Sequence, residues 1–243
     1  MSPRVKSPGA TWSSFPRVAE DASSSPSSEA ADQESAASDV LAGVAAAVYA
    51  EVGTFKAISR FRDLLAREGI EWGLLGPREV ERLWSRHILN SAAIAELIPL
   101  GASVADVGSG AGLPGIPVAL LRPDLHVTLI EPLLRRSNFL THSVDDLGIT
   151  RQVAVRRDRA EQVRETFDVV ASRALAPLDR LIRWCLPLMR TDGQILAIKG
   201  ASAQQEVADH GRLITDSGLT ADVVTVRAAP EVDPTTVIRL RLA

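Results

Sequence analysis

Residues 104–115 read Val104-Ala-Asp106-Val-Gly108-Ser-Gly110-Ala-Gly112-Leu-Pro-Gly115. An apolar run ends at an acid, and four glycines follow within eight residues. Glycine lets the chain turn sharply and lets a ligand touch bare backbone, which a side chain would prevent. A plain turn between a strand and a helix needs fewer glycines. This stretch therefore predicts a nucleotide or nucleoside pocket between a buried strand and a helix.

The chain beyond Gly101 alternates between strand-like and helix-like patterns. β-branched or apolar runs predict strands at residues 104–107, 127–130, 153–155, 169–171 and 195–198, and helical patterns at 116–121, 133–147 and 178–189 separate most of them. This alternation predicts right-handed strand–helix–strand units and a parallel sheet covered on both faces.

Two further apolar runs, at residues 223–226 and 237–242, are joined by a loop that contains Pro230 and Pro234. The loop leaves no room for a crossover helix, so we expect these strands to pair antiparallel. The predicted fold is α/β and Rossmann-like, with a mostly parallel seven-stranded sheet and an antiparallel C-terminal hairpin. This combination is typical of class I methyltransferases.

The N-terminal part of the chain has two different compositions. Residues 1–38 are rich in Ser, Pro, Ala and acids, with few large aliphatic residues, which predicts a disordered tail. Apolar residues then recur at helical spacing, as at Phe55, Ile58 and Phe61. We therefore predict a single domain over residues 39–243, with an N-terminal helical part at 39–100 and the ligand-binding core at 101–243.

Composition excludes several classes of protein. Apolar residues make up 46% of the chain, but no apolar run approaches the ~20 residues of a membrane span. Residues 40–243 carry 24 basic and 24 acidic residues, and this neutral balance argues against a protein that coats nucleic acid nonspecifically. Cys185 is the single cysteine, and the four histidines are scattered, so we expect neither a disulfide nor a metal site. Without a leader pattern, we expect a cytoplasmic protein.

The glycine loop admits two interpretations. Gly110, Gly112 and Gly115 satisfy the dinucleotide pattern, and Glu131 lies about 20 residues further on. In that pattern, however, the first glycine follows the strand directly, and here that residue is Gly108. The better fit is the acid-x-Gly-x-Gly-x-Gly loop of S-adenosylmethionine (SAM) enzymes. Glu131 then ends a strand where its carboxylate can accept hydrogen bonds from ribose hydroxyls, although a surface glutamate is the alternative.

Longer segments resemble one family. The run from Asp106 to Pro117 is similar to motif I of the bacterial 16S rRNA 7-methylguanine methyltransferases of the RsmG/GidB type, and its Leu-Pro-Gly-Ile-Pro continuation is the most specific part. Other matching segments follow in order: Arg86-His-Ile-Leu-Asn-Ser91, Glu131-Pro-Leu-Leu-Arg-Arg-Ser-Asn-Phe-Leu140, Arg159-Ala-Glu161, Ser172-Arg-Ala174 and Ala197-Ile-Lys-Gly200. The resemblance covers roughly residues 40–243. One departure is the run from Trp72 to Leu75, which lacks the Asn and Thr often found there.

The resemblance implies SAM-dependent methylation of guanine N7 in the 530 loop of 16S rRNA. It carries over SAM contacts at Gly108, Leu113, Ala160, Glu161 and Arg173, to which the loop pattern adds Gly110 and Glu131. The implied partner is 16S rRNA, either free or in the small ribosomal subunit or its assembly intermediate, and we expect a monomer. Two alternatives stay open: methylation of another RNA or a small molecule, and a nonenzymatic ribosome-assembly factor that keeps the fold.

The chemistry limits which side chains are needed. Guanine N7 has a free lone pair, so no general base is required, and the rate should come from alignment. We expect Arg173 and Lys199 to be catalytic, because both end strands at the edge where ligands bind. The candidate RNA-binding residues are Arg86, His87, Arg135, Arg136 and Lys199. The alternative for His87 is a buried structural role. The alternative for Arg135 and Arg136 is that they only form a solvated helix face.

Overall fold

A computed structural model describes residues 28–243, with side chains from residue 38 onward. The helices are α1 (Ser28–Ala50), α2 (Phe55–Leu64), α3 (Asn90–Ala92), α4 (Gly115–Leu121), α5 (Leu134–Asp146), α6 (Leu178–Cys185), α7 (Ala203–Asp209) and α8 (Gly211–Asp216). The strands are β1 (Ser103–Val107), β2 (His126–Ile130), β3 (Val153–Arg156), β4 (Phe167–Arg173), β5 (Met189–Lys199), β6 (Leu219–Val226) and β7 (Thr235–Leu242).

Short helical turns of other types complete the chain. π-helical turns span Leu65–Gly69 and Leu83–Leu89, and 3₁₀ turns span Pro77–Arg82, Ala93–Leu97, Ala160–Gln162 and Leu186–Leu188. The turns at 83–89 and 93–97 flank α3 without a break, and we refer to this run as the 83–97 segment. The predicted helical part therefore contains several short segments of different pitch.

The start of α1 differs from the sequence-based expectation. Eleven residues of the predicted tail, Ser28 to Ser38, are helical, while residues 1–27 lie outside the described part of the chain. This stretch is rich in Ala and Glu, which are among the best helix formers. Within the described residues, no helix combines the length and apolar character that a membrane span requires.

The seven strands form one sheet in the order β3-β2-β1-β4-β5-β7-β6. The five strands β1 to β5 pair in parallel, whereas β7 pairs antiparallel with both β5 and β6. The predicted mostly parallel sheet with an antiparallel C-terminal hairpin is confirmed. β1 and β4 are neighbours from which the chain departs in opposite directions, and such a switch point places a ligand crevice at the carboxyl ends of the strands.

Each face of the sheet is covered by its own helices. Val104, Val169 and Ile198 belong to the core that contains α2, the 83–97 segment, α4 and α5. Ala105, Val170 and Ala197 belong to a second core with α6, α7 and α8. Because successive side chains of a strand point to opposite faces, one strand supplies both cores.

The N-terminal helices are fixed to the sheet layer by specific hydrogen bonds. The hydroxyl of Tyr49 donates to the carbonyl of Pro117 at 3.2 Å, and that of Thr54 donates to the carbonyl of Leu120 at 2.7 Å. The Asn90 amide donates to the Thr235 hydroxyl at 2.7 Å. These contacts join α1, α4, the 83–97 segment and β7, so the helical part shares the core of the sheet.

Candidate functional site

The glycine loop lies between β1 and α4 at the switch point. The backbone N–H groups of Gly108 and Ser109 donate to the carbonyl of Ile130, at 2.9 and 3.2 Å, which holds the start of the loop against β2. Gly108, Gly110 and Gly112 all have positive φ, at +72°, +54° and +88°. An L-residue adopts this conformation only at a cost, so the path of the loop requires glycine.

The four glycines serve different purposes. A Cβ on Gly115 would lie 2.3 Å from Leu129 Cδ2 and 2.8 Å from Asp106 Oδ2. A Cβ on Gly112 would lie 2.6 Å from Ile116 Cδ1. These two glycines therefore permit close packing inside the protein. The sequence-based view that all four expose backbone to a ligand applies only to Gly108 and Gly110, which border the cavity.

A cavity of about 800 Å³ opens above the carboxyl ends of β1, β2 and β4. The glycine loop and the residue after β2, Glu131, form its floor and one wall. Residues that follow β3 and β4 form a second wall, and Leu74, Leu75 and His87 from the N-terminal part complete it. The cavity is large enough for a nucleoside-sized ligand.

Glu131 is the carboxylate that the sequence places at the end of β2. Its side chain is 2% exposed, and it accepts hydrogen bonds from the N–H of Gly110 at 3.1 Å and the N–H of Leu133 at 3.0 Å. Each carboxylate oxygen keeps further acceptor capacity. Glu131 can therefore support the glycine loop and still accept a pair of hydroxyl groups in the cavity.

Asp106, at the end of β1, is completely buried beneath the loop. Its Oδ2 accepts from the N–H of Gly115 at 3.0 Å, whereas Oδ1 has no hydrogen-bond partner among the residues that the structure describes. Burial raises the pKa of the Asp106 carboxyl to about 7, even though the Gly115 N–H favours the ionised form. The carboxyl thus anchors the start of α4 and titrates near neutral pH.

We predict that Asp106 makes the fold less stable as pH rises. Its pKa is raised from 3.8 to about 7, so the folded state binds more protons than the unfolded state within that window. The resulting stabilisation is present below pH 3.8 and is lost as the pH rises through about 7. Urea unfolding should therefore show that the free energy of unfolding of the wild type, minus that of Asp106→Asn, falls as the pH rises between these values. Parallel pH profiles would contradict the prediction.

Arg173, the last residue of β4, joins the sheet to the 83–97 segment. Its guanidinium donates to the carbonyl of Arg86 at 2.7 Å, the carbonyl of His87 at 3.4 Å and the hydroxyl of Ser91 at 3.3 Å. Burial, reinforced by the charge of Arg86, lowers its pKa to about 10, so it stays cationic at neutral pH. Arg173 borders the cavity and fixes the helix turn that carries His87.

His87 is 8% exposed and forms a short contact with Glu79, 2.7 Å between Nε2 and Oε2. Burial lowers the pKa of His87, and the hydrogen bond with His87 lowers the pKa of Glu79. The ionised carboxylate can only accept, so the hydrogen of the neutral ring is assigned to Nε2. His87 therefore has the buried structural contact that was the alternative to RNA binding, and it also lines the cavity.

Comparison with known proteins identifies the family. A family model for GidB, described as rRNA small subunit methyltransferase G, matches residues 54–233. The chain belongs to the GidB family.

Several GidB relatives are similar over most of their length. The chain is 53% identical over 192 residues to ribosomal RNA small subunit methyltransferase G of Mycolicibacterium smegmatis, which covers 76% of this chain and 81% of the relative. It is 52% identical over 183 residues to the protein of that name from Kineococcus radiotolerans, covering 74% and 72%. The predicted family is confirmed.

Solved structures share the fold of this GidB chain at low sequence identity. The mitomycin 7-O-methyltransferase MmcR has a TM-score of 0.54 at 17% identity, covering 75% of this chain and 60% of that one. The ribosomal protein L11 methylase from Lactobacillus delbrueckii subsp. bulgaricus has a TM-score of 0.51 at 18% identity, covering 69% and 80%. The predicted class I methyltransferase fold is confirmed.

The structure of this GidB chain brings most of the predicted cofactor residues together. Gly108, Gly110, Leu113, Glu131 and Arg173 all line the cavity. The other two, Ala160 and Glu161, form a 3₁₀ turn beside it, where Ala160 packs on the core and Glu161 is exposed. Their neighbours Asp158, Arg159 and Gln162 line the cavity instead. The predicted region is thus at the cavity, but the side chains that face it differ by one or two positions.

The predicted RNA-binding residues fall into three groups. Arg136 is exposed at the cavity, with its Nη1 3.9 Å from Glu131 Oε2, whereas Arg86 is exposed next to the cavity-lining His87, with its Nη1 3.8 Å from Glu79 Oε1. Arg135 is exposed, but it donates to the carbonyl of Glu71 at 2.8 Å. Lys199 lies outside the cavity lining and is paired with Glu206. The expectation that Lys199 faces the ligand crevice does not agree with this position.

Sequence reasoning missed several cavity residues. Leu74 and Leu75 reach the cavity from the loop after Trp72, whose ring stacks edge to face on Phe139 of α5 at 6.0 Å. Leu175 also lines the cavity, close to Gly108. For these loop residues the sequence carries no periodic signal, because only the packing of separate elements brings them to the site.

Proposed function

We propose that this chain methylates N7 of a guanine in the 530 loop of 16S rRNA, with S-adenosylmethionine as the methyl donor. The observation that carries the proposal is a nucleoside-sized cavity between the glycine loop and Glu131, in a chain of the GidB family. Relatives named ribosomal RNA small subunit methyltransferase G support the small-subunit rRNA as partner. We also propose that the enzyme works as a monomer in the cytoplasm and that residues 39–243 form one domain.

The cavity fits the cofactor. Gly108 and Gly110 offer bare backbone, and Glu131 offers a buried carboxylate for the ribose hydroxyls. Leu113 and Leu133 add apolar surface for the adenine, and Asp158 adds an acceptor for its amino group. When bound, S-adenosylmethionine supplies a positively charged sulfonium whose methyl group is open to attack by a nucleophile.

The residues of the chain act by alignment rather than by proton abstraction. The N7 lone pair of guanine is available at neutral pH, so the neutral ring of His87 is not needed as a base. Arg173 instead holds the carbonyls of Arg86 and His87 in place and fixes one wall of the cavity against β4. Correct placement of the reacting groups supplies several kcal/mol of rate acceleration, on the order of 7–11 kcal/mol in well-oriented systems.

Exposed arginines around the cavity supply the charge that RNA requires. Arg136 lies in the first turn of α5, and Arg157 and Arg159 follow β3. Arg86 lies next to the cavity-lining His87 on the 83–97 segment, with 62% of its side chain exposed. Guanidinium groups bind phosphate oxygens and the O6/N7 edge of guanine. This positive charge is confined to the surroundings of the cavity, since the net charge of the whole chain is −3. We infer that these arginines grip an RNA loop whose target base enters the cavity.

A comparison of 7-methylguanine in 16S rRNA from cells with and without the gene tests the proposal. The modification should be present in the parent, absent in the deletion and restored by the purified protein with S-adenosylmethionine. Unchanged rRNA would overturn the proposal. In that case, methyl transfer to another acceptor would identify the second class of enzyme, and cofactor binding without any transfer would favour an assembly factor.

A further inference from the structure

An ion pair lies behind the loop that joins β4 to α6. Lys199, the last residue of β5, places its ammonium 2.9 Å from both Glu206 Oε1 and Oε2. Their side chains are only 13% and 18% exposed. A charged pair so poorly solvated needs further hydrogen bonds to offset the cost of desolvation.

Those further bonds go to the two sides of Pro177. The Lys199 ammonium donates to the carbonyl of Ala176 at 2.9 Å, and Glu206 Oε1 accepts from the N–H of Leu178 at 3.2 Å. Pro177 has no N–H of its own to fix its position. The pair therefore holds the C-terminal end of residues 174–177, which we call the β4–α6 loop, where the loop enters α6.

The β4–α6 loop shapes the cavity. Ala174 and Leu175 line it directly after Arg173, and Leu175 Cδ1 lies 2.4 Å from the place that a Cβ on Gly108 would occupy. Ala174 has a φ of +48°, which is unfavourable for a residue with a Cβ. A loop in such a conformation persists only where its surroundings hold it.

Lys199 lies on the other face of the sheet from Arg173. In the register of β4 and β5, Arg173 lies beside Ile198, so these two side chains share the face that carries α2 and the 83–97 segment. Lys199 follows Ala197 on the opposite face, with α6 and α7. The Lys199 ammonium is bound to Glu206 and to the Ala176 carbonyl, its side chain is 13% exposed, and it does not line the cavity.

We propose that Lys199 and Glu206 are positioning residues that hold the β4–α6 loop in the shape that binds cofactor, and that neither contacts RNA. The inference rests on the proposed function only for its methylation readout. Binding of S-adenosylmethionine tests it independently, because the loop lines the cavity whatever the methyl acceptor is.

The test compares Lys199→Met, Glu206→Ala and the double variant with the wild type. Calorimetry gives cofactor affinity, and kcat is measured at saturating cofactor and small-subunit rRNA. RNA affinity is measured over a range of salt concentrations. Asp222→Asn is the matched control, because Asp222 also pairs with basic residues of the neighbouring strand, Arg239 and Arg241, away from the cavity. Thermal unfolding establishes that each variant is folded.

A positioning role predicts that both single variants lose at least about tenfold in cofactor affinity and in kcat. The double variant should lose no more cofactor affinity and kcat than the more strongly affected single variant, because both changes remove the same ion pair. The conservative variants Lys199→Arg and Glu206→Gln should show smaller losses of cofactor affinity and kcat. They are compared with the wild type in the same way if the larger changes prevent folding. The slope of the logarithm of RNA affinity against the logarithm of salt concentration should equal that of the wild type.

Two results would overturn the inference. If Lys199 contacts a phosphate, Lys199→Met lowers the salt slope by about one, while Glu206→Ala leaves RNA binding unchanged or stronger. If both single variants stay within twofold of the control in cofactor affinity and kcat, the pair has only a structural role. Failure of the wild type to methylate rRNA would count against the proposed function instead, since cofactor affinity still reports on the loop.

Discussion

Gly108→Asp is expected to lower the affinity for S-adenosylmethionine by at least about a hundredfold, which corresponds to about 2.7 kcal/mol. Three effects act together. The φ of +72° is unfavourable for any L-residue, and the new Cβ would lie 2.4 Å from Leu175 Cδ1. The added carboxylate would also enter the cavity that holds the Glu131 carboxylate, and two like charges in one partly desolvated space repel.

Gly148→Asp is the matched control. Gly148 has a φ of +67° and open space around its Cβ position, so this variant adds the same strain and the same charge away from the cavity. It should bind the cofactor like the wild type, with some loss of stability. Calorimetric titration of both proteins decides the matter, and equal affinities would show that Gly108 does not lie against the ligand.

Arg173→Met is expected to reduce methylation of small-subunit rRNA by about a hundredfold or more in kcat/KM. The change removes three hydrogen bonds to the 83–97 segment, which carries His87 at the cavity. It also removes a cation from the cavity lining, because the shorter, apolar methionine carries no charge. A displacement of about 1 Å in a catalytic arrangement can cost a hundredfold in rate.

Arg122 provides a matched control at the other end of the fold. Its guanidinium donates to the carbonyls of Ala95, Ile98 and Pro99, so it also ties a helical turn to the sheet layer. Arg122→Met should lower the melting temperature but leave kcat/KM of the folded enzyme close to that of the wild type. If both variants lose activity equally, Arg173 contributes only stability.

Much of the cofactor site is predictable because its residues follow strand ends. Glu131 comes directly after β2 and Gly108 directly after β1, and parallel strands end at the same edge of the sheet. The spacing of apolar runs is enough to place both residues there. The loop after β3 is less predictable, because an error of one position is enough to name Glu161 in place of Gln162, which lines the cavity.

Local sequence determined the strand and helix pattern, the glycine loop and the acid that ends β2, because each depends on neighbours a few residues apart. Only the tertiary structure decided that Gly112 and Gly115 serve internal packing and that Glu79 is the partner of His87. It also separated Arg173 from Lys199, which look equivalent as residues at strand ends. Side chains alternate along a strand, so a one-residue difference in register puts them on opposite faces of the sheet. Register depends on long-range pairing, which local sequence does not encode.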